Sequence, residues 1–377
     1  MKLTQILLLL VFLTCFNSCG IHDSQKHLVA TNSDIKIQSK KTVPRNIIFM
    51  IGDGMGLSQI TAGLYSNNNF LELERCTHIG LHKSHSADDL ITDSAAGATA
   101  FSIGMKSNNK YLGLDSLGIP HQTILEYLSK KNYKTGLLVT STIVHATPAA
   151  FYAHQKSRND YEKIAVDLMA TDVDLLIGGG KKYFNRRTTD SINLIEVLKN
   201  RDYLVQDYFD QDLNTWQFPL GQKLAFFTAD GDPEKQSKGR NYLPQATAKS
   251  IAFLNQPSSK GFFLMVEGSQ IDWGGHDNDA NYIISEMLDF DKAVKEALDF
   301  AAADQNTLVV ITADHETGGF AIIGGEKFGA LKTGFTTEHH TPDLIPVFAF
   351  GPGAELFSGI YENTEIYKKM MRLMGKE

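Results

Sequence analysis

The chain is poor in cysteine, in basic runs and in long apolar stretches, and each scarcity excludes a class of protein. Three cysteines occur in 377 residues: Cys15, Cys19 and Cys76. Two of them sit in or just after an amino-terminal apolar segment, so Cys76 alone would remain in the folded part. That excludes an intrachain disulfide there and leaves stability to the core and to bound metals. The net charge is −7 and no basic run exceeds a few residues. This argues against nucleic acid and polyanionic surfaces as partners. After Pro44 there is no second linker, no internal repeat and no low-complexity block.

What is present begins with a leader. A short basic start is followed by the almost wholly apolar residues 3–16 and then by "FNSCG". Residues 1–18 read as an export signal, too short to span a membrane as a stable helix. Cys19 resembles the lipid-modified cysteine of bacterial lipoproteins. On that reading the mature protein is exported, periplasmic or membrane-anchored; ordinary cleavage nearby is the alternative. Residues 19–43 are polar and aperiodic, a tether, and residues 44–377 are expected to form one domain.

Within that domain apolar runs alternate with helical periods. Buried strands are expected at 46–51, 134–140, 173–177, 223–227, 261–266, 307–312 and 345–350, and helices at 160–170, 192–200, 244–254 and 280–302. Continuous Val, Ile, Leu and Phe runs mark strands buried on both faces. The pattern predicts an α/β fold, a three-layer α/β/α sandwich around a mostly parallel central sheet.

In such folds functional groups gather beyond the carboxyl ends of strands. After "NIIFMI" comes "GDGMG" with Asp53; after "KTGLLVT", "STIVHATP" with His145 and Thr147. After "GFFLMV" comes "EGSQIDWGGH" with Glu267, Asp272 and His276; after "TLVVIT", "ADHETGG" with Asp314 and His315. His339 and His340 precede "IPVFAF". Taken singly, each loop could be a turn or a helix cap. Together they offer the mixed nitrogen and oxygen donors, without thiolate, that catalytic Zn²⁺ accepts, while Asp53, Thr147 and Glu267 are hard oxygen groups suited to Mg²⁺. A metal cluster would also activate a serine. In "ITDSAAGATAF" the small residues after Ser94 let a helix start close to such a cluster, with Asp93 or Ser94 as its cap. Arg158, in "AHQKSRNDY", could hold a phosphate bidentately.

From about Pro44 to near Gly359 the chain resembles the alkaline phosphatases. "NIIFMIGDGMG", "ITDSAAGATA", "HATPAAFYAHQKSR", "DLLIGGGKKYF", "LMVEGSQIDWGGH" and "TADHETGG" fall in family order. The resemblance implies a metal-dependent phosphomonoesterase working through a phosphoserine on Ser94, with Arg158 gripping the phosphoryl oxygens. It implies two Zn²⁺ and one Mg²⁺: Asp272, His276 and His340 on one zinc; Asp53, Asp314 and His315, joined by Ser94, on the second; Asp53, Thr147 and Glu267 on magnesium. Asp93 would support and position. Spacing to the following strand favours His340 over His339. Homodimerisation is typical of the family. His145 and Trp273 stand where the best-known enterobacterial enzyme has aspartate and lysine, and an imidazole there could favour Zn²⁺ at the third site. The chain is short for the family, so loops over the site should be small.

Two other motifs read as structural. His78, His82 and His85 in "HIGLHKSH" are expected to be strand or surface residues. Gly178–Gly180 lacks the Lys-Ser/Thr of a phosphate loop and is expected to be a turn. The nearest rival functions are a phosphodiesterase, sulfatase or phosphomutase of the same superfamily; a rival of another class is a non-catalytic phosphate-binding protein.

Overall fold

The computed structural model describes residues 43–375; the export segment, Cys19 and nearly all of the tether lie outside the described residues. The apolar runs become strands because their branched and aromatic side chains pack on both faces of a sheet. Along the chain the strands are β1 (Asn46–Gly52), β2 (His78–Lys83), β3 (Lys134–Thr142), β4 (Leu175–Gly179), β5 (Tyr203–Asp207), β6 (Lys223–Phe227) and β7 (Phe262–Gly268). They continue with β8 (Thr307–Thr312), β9 (Glu316–Thr317), β10 (Ala321–Lys327), β11 (Ala330–Gly334), β12 (His340–Thr341), β13 (Leu344–Phe350) and β14 (Gly359–Glu362).

Ten of them form one sheet in the order β14-β2-β13-β8-β1-β7-β3-β4-β6-β5. Every neighbouring pair is parallel except those made by β13, which runs antiparallel to both β2 and β8. β1 is central and buried throughout. Its Ile47, Phe49 and Ile51 face one layer, which includes the helices Ser94–Ile103, Ile124–Lys130 and Thr364–Leu373. Ile48 and Met50 face the other, with the helices Leu57–Ser66, Leu243–Leu254 and Ala280–Asp304. Each fully buried Ile or Phe in these layers contributes roughly 1.5–3 kcal/mol. The three-layer α/β/α sandwich is thus present, and the described residues fall within one compact unit.

All seven expected strands occur, with small shifts at their ends. The sheet also contains β2, β5 and β14, which lie towards its two ends. In β2 polar and apolar residues mix, and Gly80 admits the carbonyl of Phe357, which would lie 2.1 Å from any Cβ there. His82 is buried in β2, with Nε2 2.9 Å from Ala313 O and its ring edge-on to Phe101. Burial pushes its imidazole down to about 4, so it packs as a neutral side chain. Gly178 and Gly179 end β4, and Gly180 turns the chain with φ +95°. Cys76 is buried, and burial pushes its thiol up to about 12. Among the described residues no helix is long and apolar enough to cross a membrane.

Candidate active site

Four contiguous strands, β8-β1-β7-β3, deliver the loops to one place. β1 runs into Asp53 and then Gly54, whose φ is +74°. A Cβ at Gly54 would lie 2.7 Å from Asp272 Cα, so the glycine permits both the turn and the approach of the β7 loop. β7 itself carries Glu267. The helix Gln270–His276 that follows sets Asp272 and His276 one turn apart on the same face. β8 leads to Asp314 and His315. After β3, His145 precedes the short helix Ala146–Ala149, which contains Thr147. His340 arrives by a different device: β12 pairs with β9, placing His340 opposite Thr317.

Three imidazoles point the same way. His276 Nδ1 is 2.6 Å from Glu338 O and His340 Nδ1 is 2.8 Å from Thr92 O. A carbonyl only accepts, so both Nδ1 atoms carry the proton. His315 Nδ1 is 3.2 Å from Thr317 Oγ1, whose own hydrogen goes to Asp272 Oδ1. Each Nε2 is thereby left with a lone pair facing inward, the orientation in which outer partners hold metal-ligating histidines. His276 Nε2 and His340 Nε2 lie 3.1 Å apart, at 3.4 and 3.5 Å from Asp272 Oδ1. Donor atoms of Asp272, His276 and His340 all fall within 4.8 Å of one another.

The same holds for Asp53, Asp272 and His315, and for Asp53, His145 and Glu267. Asp314 lies beside the second group, its Oδ2 3.2 Å from His315 Nε2. Thr147 lies beside the third, its Oγ1 donating to Asp53 Oδ2 at 3.4 Å. Asp53 Oδ1, Asp314 Oδ2 and both Glu267 oxygens are buried without a hydrogen-bond donor. Such orphaned carboxylate oxygens are rare in native folds and call for a cation. Burial, then the charges of Asp314, Asp272 and Glu267, pushes Asp53 far above the carboxylate range; burial pushes Glu267 up to about 8. Burial also opposes ionisation of Asp272, but His340, His315 and His276 outweigh it and hold that acid low. The donor set fits bound divalent metals.

Ser94 is 1% exposed and opens the helix Ser94–Ile103. Asp93 is the cap, accepting the Ala96 N–H at 2.9 Å. Ser94 Oγ lies 3.3 Å from His315 Nε2. The alanines and Gly97 behind it are all buried, and a Cβ on Gly97 would come within 3.0 Å of Asp314 Cβ. Small residues are what let this helix abut the β8 loop. Arg158 Nη1 donates to Asp93 Oδ2 at 3.2 Å, and Nη2 reaches His145 Nε2 at 3.4 Å. Burial, then the Arg158 charge, pushes His145 down to about 3. Trp273 meets the His145 ring edge-on at 6.0 Å.

Residues 44–333 match the family model for alkaline phosphatase. The chain belongs to the alkaline phosphatase family. Like the family, it is a metal-dependent phosphomonoesterase. Alkaline phosphatase 4 of Bacillus subtilis (strain 168) is 35% identical, the alignment covering 92% of each chain. The solved alkaline phosphatase of the Antarctic bacterium TAB5 is 41% identical, with a TM-score of 0.82 over 89% of this chain and 99% of that one. A histidine-to-aspartate mutant of that enzyme, 40% identical and also at 0.82, holds Mg in its M3 site.

All thirteen residues singled out from the sequence for the site lie in or against this cluster. Beyond the expected groupings, Asp272 also lies within reach of Asp53 and His315, and His145 lies within reach of Asp53 and Glu267. His339 is exposed. Sequence reasoning missed Thr317, whose hydroxyl joins Asp272 to His315. It also missed Glu316, which accepts from Thr341 Oγ1 and Gln59 Nε2 and ties β12 to β9. Both lie in "ADHETGG", three residues or fewer from Asp314, which was the available signal.

Proposed function

We propose that this phosphomonoesterase transfers the phosphoryl group to Ser94 Oγ and then to water. The observation that carries the assignment is Ser94 Oγ at a capped helix start, 3.3 Å from His315 Nε2, with the Arg158 guanidinium anchored on the neighbouring Asp93. Asp272, His276 and His340 would hold one Zn²⁺; Asp53, Asp314 and His315 the second; Asp53, Thr147 and Glu267, with His145 close by, Mg²⁺ or a third Zn²⁺. When bound, these ions supply Lewis-acid stabilisation of charge and lower the pKa of hydroxyl nucleophiles.

The rest falls to the chain. Ser94 Oγ attacks phosphorus in line, the bond to the leaving alcohol breaks, and phosphoserine forms. Arg158, oriented by Asp93, meets the non-bridging oxygens, and the helix amino end favours the anion. Water then cleaves the phosphoserine, releasing inorganic phosphate and restoring the Ser94 hydroxyl. The mostly buried setting strengthens each electrostatic contact.

Hydrolysis of an aryl phosphate, an aryl diester and an aryl sulfate tests this reading. Monoester turnover should dominate, vanish on chelation and return with Zn²⁺ and Mg²⁺. Ser94→Ala should lower it by on the order of 10³-fold or more with metals still bound. Equal activity in Ser94→Ala would remove the phosphoserine, and faster diester turnover would reverse the substrate class.

The mature chain is further read as one catalytic domain, 44–377, exported by the leader 1–18, tethered through a lipid on Cys19 and paired as a homodimer. Mass spectrometry of the mature amino terminus tests the lipid, and light scattering tests the dimer.

A further inference from the structure

The peptide joining Thr92 to Asp93, immediately ahead of Ser94, is gripped on both edges. Its carbonyl, Thr92 O, accepts from His340 Nδ1 at 2.8 Å. Its N–H, on Asp93, donates to Asn109 Oδ1 at 2.9 Å. Asn109 Nδ2 also donates to Ile91 O at 3.0 Å, and the Asn109 N–H donates to Asp88 Oδ1 at 2.9 Å. One amide side chain therefore spans the two peptides that lead into the nucleophile.

The next residue extends the grip. Lys110 is exposed and has φ +74°, a left-handed backbone that lysine does not favour. In that conformation its N–H donates to Asp93 Oδ2 at 3.0 Å and its carbonyl accepts the Arg158 N–H at 2.9 Å. Asp93 Oδ2 is also the acceptor of Arg158 Nη1. Asn109 and Lys110 thus touch the entry to Ser94, the carboxylate that orients Arg158 and the backbone of Arg158 itself. Backbone strain retained at such a point is commonly tied to the site it serves.

We propose that Asn109 is a positioning residue for phosphoryl transfer. It fixes the Thr92–Asp93 peptide so that Ser94 and His340 share one frame, and Lys110 carries that frame to Arg158. Neither residue touches substrate. The inference rests on Ser94 as the nucleophile.

The test uses the metal-loaded enzyme and an aryl phosphate. Asn109→Ala and the near-isosteric Asn109→Leu, which keeps the volume if alanine unfolds, should each lower kcat about 10- to 100-fold, the range found for outer partners of metal ligands. KM, melting temperature and bound metal should change little. Asn109→Asp keeps an acceptor for the Asp93 N–H and should recover part of the loss. In an Arg158→Ala background the effect of Asn109→Ala should shrink, because the two act through Asp93. Asn108→Ala removes a bond in the same strap, from Nδ2 to Ser116 O at 3.1 Å, and should leave kcat unchanged. Wild-type kcat in both Asn109→Ala and Asn109→Leu overturns the proposal. So does full recovery with excess metal, an undiminished effect in Arg158→Ala, or an equal loss in Asn108→Ala. Ser94→Ala assayed alongside separates the two readings: an inactive Ser94→Ala with a fully active Asn109→Ala rejects only the positioning role.

Discussion

Glu267 and Asp272 are buried carboxylates five residues apart, at the end of β7 and just beyond it, and their acidities diverge. Burial pushes Glu267 up to about 8, whereas three imidazoles hold Asp272 well below the usual range. The site therefore has two halves. Around Asp272 the chain sets three imidazoles, His276, His315 and His340, which offset its charge when no metal is bound and they take up protons. Around Glu267 and Asp53 it carries oxygens without donors, and only an added cation makes that half stable while ionised. Burial opposes ionisation on both sides; what differs is whether the fold supplies groups that offset the charge.

Asp53 belongs to both halves, being within reach of His315 on one side and of Glu267 on the other. Asp53→Asn should have the largest effect of the substitutions that probe this division. A loss of turnover on the order of 10³-fold, with two metals lost rather than one, is expected from kinetics and metal analysis. Retention of all metals would mean the halves do not share this ligand.

In the chelated protein the two carboxylates should respond with opposite sign. Asp272→Asn deprives three imidazoles of their anion and should lower the melting temperature. Glu267→Gln removes a buried acid that must take up a proton to fold at neutral pH and should raise it. Each change is expected at roughly 1–3 kcal/mol. Shifts in one direction for both would break the comparison.

His145→Asp would convert the third group from mixed nitrogen and oxygen donors to oxygen alone. Its activity should depend on Mg²⁺ several-fold more strongly than the wild type in metal titrations.

Asp291 offers the smallest effect and a control outside the metal groups. Burial pushes it up to about 6, although N–H groups of Glu72 and Leu73 partly oppose the shift. Its folded pKa exceeds the unfolded value of about 3.9, so the folded state binds the proton more tightly. Its cost is absent below pH 4, grows as pH rises to 6 and is fully present at pH 7. Asp291→Asn should flatten the stability difference between pH 4 and 7 by about 1–2 kcal/mol in denaturant melts, with or without chelator. A parallel pH curve for variant and wild type would show that burial alone does not set this acidity.

How legible all this was depended on how local the signal is. Seven buried strands could be read because their apolar runs are continuous, while β2, β5 and β14 mix polar residues or are short and are held by their neighbours. Asp53, Asp314 and His315 could be read because each directly follows such a run. Thr317 and Glu316 looked like ordinary polar residues until β12 folded back onto β9. Asn109 had no signal at all: nothing in "SNNKYL" distinguishes it from Asn108, and only the path of the loop brings its amide to Asp93.

By itself the sequence determined the inventory: which donors stand at which strand ends, a serine ahead of residues small enough to approach them, and the family to which they belong. Tertiary structure alone decided which donors come together, bringing Asp272 within reach of His315 and His145 within reach of Glu267. Those choices are made by distances of a few ångströms between residues far apart in the chain, as for Ser94 and His315, separated by 221 positions. Local propensity carries no record of them, because the packing of whole layers sets them.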